Sequence, residues 1–257
     1  MNYPQRAVGF FLHTFNGSSF FFCTASLISN SILLTAGHCV YNPTSKKFIT
    51  AGTFYPACVD CNSGGAPTEP YGHADANTVF TTSGWANAKN EDTALNKSID
   101  VALVTLNTPV NNPNNVDEMG TATGYLGYCS SNCGNKYWHL SQVGYPGNYD
   151  GGNRMNVSEH LEKGGKTDFT YGTGMEGGSS GGPHISNIGS VNDSSSNLGQ
   201  FTNRNVVFAV TSWGYNDDAV KIQGSSPLSG AKNGNNFPTM FNAACAKART
   251  LHGVGSC

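Results

Sequence analysis

Short runs of β-branched and aromatic residues recur along most of this chain, and clusters of Gly, Asn and Pro separate them. Such runs, bounded by turn residues, predict a domain built from many short strands in a barrel or sandwich. Helical spacing of apolar residues is nearly absent from this part. The predicted strands are Val8–Phe15, Phe20–Ile28, Ile32–Thr35, Phe48–Ala51, Val101–Leu106, Lys136–Val143, Lys166–Tyr171 and Val206–Trp213.

The end of the chain has a different pattern. Asn236 is a suitable helix cap and Pro238 falls in the first turn that would follow it. The pattern predicts a single C-terminal helix on an all-β body, and the stretches Asn187–Asn205 and Asn107–Glu118 are predicted to be surface loops. The apolar residues at helical spacing are Phe237, Met240, Phe241, Ala244, Ala248 and Leu251.

Charged residues make up only 12% of the chain, and the formal net charge is -2. This balance provides no basic surface for nucleic acid or for an anionic membrane. No apolar run approaches the roughly 18 residues of a membrane span. The first residues lack the basic-then-apolar layout of a signal peptide, so we expect a mature or recombinant domain from which any export signal is absent.

The eight cysteines fall into four local clusters. This clustering favours the disulfides Cys23–Cys39, Cys58–Cys61, Cys129–Cys133 and Cys245–Cys257. The alternative is a zinc site made by the four cysteines 58, 61, 129 and 133. Low charge and an exported character favour disulfides, which persist in oxidising compartments. We therefore expect a secreted protein without a bound metal or other cofactor.

The strongest candidate for a catalytic loop is Gly178–Pro183, which has the sequence Gly-Ser-Ser-Gly-Gly-Pro. A serine flanked by glycines on a tight turn can present its Oγ to a substrate, and the glycines let a carbonyl approach backbone N–H groups closely. Gly and Ser are also common loop residues, so the stretch alone is compatible with a flexible turn.

Acyl transfer by serine also needs a base and an acid that orients the base. His38 is the candidate base, because the apolar run Ile32–Leu34 delivers it to a glycine-containing turn and Cys39 can anchor the next position. Asp100 is the candidate acid, since it opens an apolar strand where an unpaired carboxylate would cost several kcal/mol. The aspartates that lie in polar stretches are Asp92, Asp117, Asp217 and Asp218.

Three segments, Thr35–Cys39, Asp100–Leu103 and Gly178–Pro183, match the motif blocks of the chymotrypsin-like (trypsin-fold) serine peptidases. A fourth, Thr211–Gly214, resembles the substrate-binding strand of that family. The order His, Asp, Ser is that of chymotrypsin and differs from subtilisins and α/β-hydrolases. The four blocks are in register over nearly the whole chain, so the chain is similar to this family.

The resemblance implies an all-β fold of two six-stranded antiparallel β-barrels and a C-terminal α-helix in one peptidase domain. The barrels would cover about 7–115 and about 120–235, and the helix about 237–251. Ser180 would be the nucleophile, His38 the base and Asp100 the orienting acid. The N–H groups of Gly178 and Ser180 would form the oxyanion hole, and Ser212, Trp213 and Gly214 would pair with the substrate backbone. Cys23–Cys39 would match the disulfide beside the catalytic histidine.

Two positions depart from the animal enzymes. Ser179 stands where animal trypsins and chymotrypsins have an aspartate, which pairs with the N-terminal amine that forms when the zymogen is cut. Ser179 cannot make this ion pair, so the same activation switch is not expected. The replacement resembles the bacterial and fungal branch that includes the glutamyl endopeptidases. Gly174, at the expected base of the primary pocket, argues against a preference for Arg or Lys.

Thr211 stands where glutamyl endopeptidases commonly have histidine, so specificity for Glu is not supported and uncharged side chains are expected. Asp217 or Asp218 could still reach the pocket from its far wall, and Lys221 could favour acidic side chains. The residues expected to line the remaining wall are Met175, Glu176 and Gly177.

The expected function is that of a secreted serine endopeptidase that acts on proteins or peptides as a monomer, without nucleic acid or membrane partners. One alternative is a non-catalytic trypsin-fold binding protein. Another is an esterase or other acyl transferase with a similar triad on a different fold, which the order of the motif blocks disfavours.

Overall fold

The computed structural model describes residues 2–92, 99–131, 137–164, 169–189, 204–215, 217, 219–229 and 234–257. The fold is mostly β, with one long helix at its end. The helices are α1 (Ser83–Ala86), α2 (Met119–Thr123) and α3 (Phe237–His252). The strands are β1 (Val8–Thr14), β2 (Phe20–Leu27), β3 (Ile32–Thr35), β4 (Tyr41–Asn42), β5 (Lys47–Phe48), β6 (Ala51–Pro56), β7 (Ala74–Thr81), β8 (Ala102–Leu106), β9 (Gly127–Tyr128), β10 (Tyr137–Gly144), β11 (Asn156–Gly164), β12 (Phe169–Gly172), β13 (Pro183–Ser186), β14 (Val206–Gly214) and β15 (Ile222–Pro227).

The first half of the chain forms a closed six-stranded barrel in the order β1-β2-β3-β8-β7-β6. All of its neighbouring strands are antiparallel. Apolar side chains from these strands, among them Phe11, Leu27, Leu34 and Leu103, are fully buried in one core. The runs of β-branched and aromatic residues along β1, β2 and β3, bounded by turn residues, are what made these strands predictable.

The second half forms a seven-stranded sheet in the order β13-β10-β11-β12-β15-β14-β9, and β13 also pairs with β14. The last strand, β9, lies parallel to β14, with Gly127 opposite Val206. The prediction of two purely antiparallel six-stranded barrels is therefore confirmed for the first barrel. The second sheet differs, because a short parallel strand is added to its edge.

Helix α3 follows the second sheet in the chain but packs on the first barrel, where it contacts β3, β7 and β8. Phe237, Met240 and Ala244 form its buried face. Asn236 occupies the N-cap position but makes no capping bond to the helix. Its Oδ1 instead accepts a hydrogen bond from the Ser83 N–H at 2.8 Å, so the side chain ties the start of the helix to α1.

Several strands escaped prediction from the sequence, and one was placed wrongly. The predicted strand Phe48–Ala51 spans the end of β5 and the start of β6, with two residues between them that belong to neither. Strands β7 and β15 were missed because they are rich in polar residues, although β15 is largely buried. Barrel closure, rather than local β-propensity, places these segments in the sheets.

Three of the predicted disulfides, Cys23–Cys39, Cys58–Cys61 and Cys245–Cys257, are confirmed. The Cys58–Cys61 bond overturns the zinc alternative, because these sulfurs are not available as thiolates. Cys133 lies outside the described residues, so the bridge from Cys129 to Cys133 stays a prediction. Most of the predicted loop 187–205 also lies outside them. None of the described helices is both long and apolar enough to span a membrane.

Candidate active site

His38 and Asp100 meet at one edge of the first barrel. His38 lies in a single 3-10 turn directly after β3, and Asp100 lies just before β8. Because β3 and β8 are antiparallel neighbours, with Thr35 opposite Ala102, the end of one and the start of the other fall side by side. His38 Nδ1 is 2.8 Å from Asp100 Oδ2, and the His38 backbone N–H donates to Asp100 Oδ1 at 2.8 Å.

The Asp100 carboxylate is fully buried and receives three hydrogen bonds. Besides the two from His38, the hydroxyl of Ser212 on β14 donates to Asp100 Oδ2 at 2.6 Å. The fully buried Trp85 covers the adjacent turn: a Cβ on Gly37 would lie 3.0 Å from the indole ring and 2.9 Å from Asp100 Oδ1. These contacts compensate the cost of burying the carboxylate and fix its direction.

The His38 ring combines a buried partner with an accessible edge, since a quarter of its side chain is exposed. Burial lowers the pKa of His38, but the charge and hydrogen bond of Asp100 act in the opposite direction, and Glu91 adds to them. The net result is a pKa raised above the ordinary value. With Nδ1–H donated to the carboxylate, the neutral ring presents the lone pair of Nε2.

The loop that carries Ser180 is held between the two sheets. The Thr24 N–H on β2 donates to Ser180 O at 2.8 Å, and the Gly181 N–H donates to Thr211 O on β14 at 2.8 Å. Gly181 has φ = 78°, and a Cβ there would clash with Thr35 Oγ1 and Thr24 O. Only glycine fits between the loop and the end of β3 that leads to His38.

Two backbone N–H groups in this loop are available to a ligand. Among the described residues, neither the Gly178 N–H nor the Ser180 N–H donates a hydrogen bond. Gly178 has φ = 95°, and a Cβ there would lie 2.5 Å from Tyr145 O. The Thr24 hydroxyl donates to Gly178 O at 2.9 Å and so fixes the peptide on the other side.

A cavity of about 370 Å³ opens beside Ser180. Most of the residues that were expected to line a substrate pocket line this cavity: Met175, Glu176, Gly177, Thr211, Trp213 and Gly214. Gly174 and Ser212 were also expected there, but they do not line the described part of the cavity. Gly174 faces Tyr149, whose hydroxyl would clash with a Cβ at this position. Ser212 points to Asp100 instead.

The charged residues of the cavity lie at its solvent-exposed side. Lys221 Nζ is 2.7 Å from Glu176 Oε1, so these two charges offset each other. Asp217 also lines the cavity and is exposed, while Asp218 lies outside the described residues. Ser179 is buried, and its hydroxyl donates to Glu176 O at 2.6 Å. Ser179 stands at the position where animal trypsins and chymotrypsins have an aspartate, and its hydroxyl makes this local bond instead of an ion pair.

Sequence reasoning missed three residues that build the site: Thr24, Trp85 and Gln223. Thr24 directly follows Cys23, but the hydrogen-bond partners of its hydroxyl lie more than a hundred positions away along the chain. Trp85 lies in the four-residue helix α1, which has no recognisable pattern. Gln223 sits in a polar strand that was not predicted. No local signal identifies any of them.

The sequence model of the trypsin family matches residues 3–229. The chain therefore belongs to the trypsin family, and the resemblance to chymotrypsin-like serine peptidases is confirmed. It is similar to the glutamyl endopeptidase of Bacillus licheniformis, with 26% identity over 181 residues. That match covers 70% of this chain and 49% of the relative, so the chain spans about half the length of the curated relative it matches.

Two solved structures show the same fold. The protease Anisep from Arthrobacter nicotinovorans superposes with a TM-score of 0.71 at 20% identity, covering 95% of this chain and 97% of Anisep. A Glu endopeptidase in complex with MPD gives a TM-score of 0.63 at 21% identity, with 95% of this chain and 93% of that chain covered.

Proposed function

We propose that this protein is a secreted serine endopeptidase that hydrolyses peptide bonds through an acyl-enzyme. The observation that carries the proposal is the buried Asp100 carboxylate, which receives the His38 N–H groups and the Ser212 hydroxyl next to the loop that carries Ser180. Membership of the trypsin family and disulfide bonding, which persists in oxidising compartments, support the same conclusion.

In the proposed mechanism, Ser180 Oγ attacks the scissile carbonyl carbon while His38 Nε2 takes the hydroxyl proton. Asp100 holds the ring by its Nδ1–H and stabilises the imidazolium that forms. The carbonyl oxygen becomes an oxyanion, which the N–H groups of Gly178 and Ser180 would bind. His38 then gives the proton to the leaving amine as the C–N bond breaks, and a water molecule releases the acyl group by the same steps.

The substrate would lie along β14 as an added antiparallel strand, a common way of recognising an extended peptide. Trp213 and Gly214 on this strand line the cavity beside Ser180, which would accept the side chain before the scissile bond. We propose a protein or peptide as the substrate. We also propose that the second sheet completes a peptidase domain of two barrels.

One observation favours the alternative of a non-catalytic binding protein: no hydrogen bond joins Ser180 Oγ to His38 Nε2 in this structure. Catalytic hydrogen bonds of ligand-free sites are often long and tighten only with substrate. The buried Asp100 orients His38 next to the Ser180 loop, an arrangement that acyl transfer requires and ligand binding alone does not. The peptidase is therefore the better supported function.

Labelling with a fluorophosphonate probe separates the two functions. The wild type should label at one site per molecule, Ser180→Ala should not label, and His38→Ala should label far more slowly. Ser63→Ala is a matched control, since Ser63 lies in an exposed loop. Persistent labelling of Ser180→Ala would contradict the assigned nucleophile. A folded, disulfide-bonded wild type that does not label would support the binding protein.

A further inference from the structure

The segment that leads to Ser180, residues 174–179, is hydrogen-bonded to the loop that follows β10. Asn148 on this loop bonds to the segment twice: its Nδ2 donates to Gly174 O at 2.8 Å, and its Oδ1 accepts from the Glu176 N–H at 3.1 Å. A carbonyl oxygen only accepts and a backbone N–H only donates, so the Asn148 amide has a single orientation. One side chain thus holds two peptide groups of the segment before the proposed nucleophile.

A backbone bond from the neighbouring residue fixes the next peptide group. The Gly147 N–H donates to Gly177 O at 2.6 Å. Among the described residues only Tyr3–Pro4 is a cis peptide bond, so the C=O of Gly177 and the N–H of Gly178 point in opposite directions. With the C=O held towards Gly147, the Gly178 N–H points away from this loop. That N–H is one of the two proposed donors to the oxyanion.

Side chains restrain this peptide group only weakly. A Cβ on Gly177 would meet no atom within 4 Å, and Gly178 has φ = 95°, a conformation that glycine adopts freely. Two adjacent glycines allow the peptide group between them to turn over, which would carry the Gly178 N–H out of the proposed oxyanion hole. The hydrogen bonds from the loop therefore select an orientation that side chains do not impose.

Ser179 completes this bonding without a charge. Its N–H and its hydroxyl both donate to Glu176 O, at 3.1 Å and 2.6 Å, while Asn148 accepts the N–H of the same glutamate. A serine cannot form the ion pair that the animal enzymes have at this position. Uncharged hydrogen bonds hold the segment instead.

The loop that carries Asn148 is itself attached to the first barrel. The side chain of the buried Tyr145 donates through its hydroxyl to Cys58 O at 3.1 Å. At the other end of the loop, Asn153 O accepts from the Asp60 N–H at 2.9 Å. Asn148 therefore lies on a loop that is held at both ends by the barrel that supplies the candidate base.

On the basis of the proposed peptidase function, we propose that the Asn148 side chain and the Gly147 N–H are positioning groups of the oxyanion hole. They act through the segment before Ser180 and hold the Gly178 N–H in the direction in which it meets the oxyanion, without touching the substrate. The oxyanion forms only as Ser180 Oγ bonds to the carbonyl carbon, so this positioning stabilises the transition state more than the bound substrate. Its loss should lower kcat and leave KM nearly unchanged.

Asn148→Ala tests the side chain. Asn77→Ala is its control, since Asn77 on β7 is another exposed asparagine and its Nδ2 donates to Asn107 Oδ1. With a fluorogenic peptide amide that the wild type cleaves, chosen from a library, kcat of Asn148→Ala should fall by about tenfold. Asn148→Asp keeps an acceptor for the Glu176 N–H but loses the donor to Gly174 O, so its kcat should also fall. A kcat of Asn148→Ala within about twofold of Asn77→Ala, or a loss confined to KM, would overturn the proposal.

Two variants of Gly147 test the backbone bond. Gly147→Pro removes the N–H, whereas Gly147→Ala keeps it and places a Cβ 3.2 Å from Gly177 O and 3.5 Å from the Phe22 ring. The kcat of the proline variant should lie at least about tenfold below that of the alanine variant, since losing an oxyanion donor outright costs about 10²–10³-fold. Equal values in the two variants would overturn the role of the N–H. If the proline variant does not fold, the Asn148 variants decide alone.

A peptide aldehyde and the alcohol of the same sequence separate positioning from a general loss of structure. Ser180 Oγ adds to the aldehyde carbon, its proton passes to His38, and the aldehyde oxygen becomes the oxyanion. The alcohol binds without forming a bond. In Asn148→Ala the inhibition constant of the aldehyde should rise by the factor by which kcat falls, while that of the alcohol stays within about threefold. Equal weakening of both inhibitors would overturn the proposal.

The outcomes also separate this proposal from the proposed function. Wild type that labels with the fluorophosphonate probe, together with an unchanged kcat in the Asn148 variants, overturns the positioning role alone. Wild type that neither labels nor cleaves any peptide of the library overturns the peptidase function and the positioning role together.

Discussion

His13 on β1 predicts how the stability of this protein depends on pH. Its side chain is buried beside the rings of Phe11, Phe15 and Phe21, and among the described residues its Nδ1 has no hydrogen-bond partner. Burial lowers the pKa of His13 to about 4; a backbone contact at Phe11 opposes this effect, and the charge of His38 adds to it. Folding therefore holds this ring in its neutral form over a pH range in which an exposed histidine takes up a proton.

The sign and size of the effect follow from proton linkage. Between pH 6.5 and about pH 4 the unfolded chain binds more protons at position 13 than the folded chain does, so stability falls as the pH falls through this range. Each pH unit between the two pKa values corresponds to about 1.4 kcal/mol. The contribution of His13 to the free energy of unfolding should thus decrease by about 3 kcal/mol between pH 7 and pH 4.

Urea unfolding at several pH values, in a Ser180→Ala background that prevents self-digestion, measures this loss. His13→Phe and His13→Gln both remove the titrating group, and they differ in polarity. Whatever their stability at pH 7, both should gain about 3 kcal/mol relative to the parent on going to pH 4. Parallel pH curves, within about 0.5 kcal/mol, would refute the reasoning. A gain in only one variant would also refute it, because packing changes would then explain the result.

The remaining predictions concern the active site. Thr24→Val leaves the Tyr145 N–H and Gly178 O without their bonds to the Thr24 hydroxyl, which should cost about 2–6 kcal/mol of stability in urea unfolding; an unchanged midpoint would contradict this. Asp100→Asn must place its amide NH₂ against His38 Nδ1, because the other position accepts the His38 backbone N–H. The wrong tautomer should lower kcat by about 10⁴-fold in peptide hydrolysis, the loss known for this exchange in a Ser-His-Asp triad, and a variant within tenfold of wild type would be inconsistent with the triad. Finally, kcat/KM of the wild type should fall as His38 becomes protonated, with a midpoint above 6.5 because the pKa of His38 is raised; a pH–rate midpoint below 6 would exclude His38 as the base.

The sequence identifies the residues of the candidate triad because each lies in a strong local pattern. His38 and Asp100 border apolar strands of the first barrel, and Ser180 lies among glycines that a close backbone approach requires. The same patterns predict β1, β2 and β3 almost to the residue. What these segments share is that neighbours along the chain determine their conformation.

Contacts between distant segments could not be predicted in this way. The bond from Ser212 to Asp100 spans 112 positions, and the bond from Thr24 to Gly178 spans 154. Strand β15 carries Gln223 in a polar run, and its burial depends on partners from β12 and β14. Gln223 lines the cavity beside Ser180, where its Oε1 accepts a hydrogen bond from the buried Gln142. No local pattern of hydrophobic residues indicates this position.

The candidate site exists only where the two sheets meet. Asp100 from the first barrel accepts the Ser212 hydroxyl from the second sheet, and Thr24 from the first barrel holds Ser180 and Gly178 from the second. Each of these bonds satisfies a buried polar group and at the same time positions a group of the proposed catalytic site. A small separation of the sheets would therefore weaken the hydrogen bond from Ser212 to the buried Asp100 carboxylate. It would also displace Ser180, the proposed nucleophile. For this reason, substitutions at the junction should reduce activity under conditions in which most molecules are still folded, because catalysis tolerates less displacement than folding does.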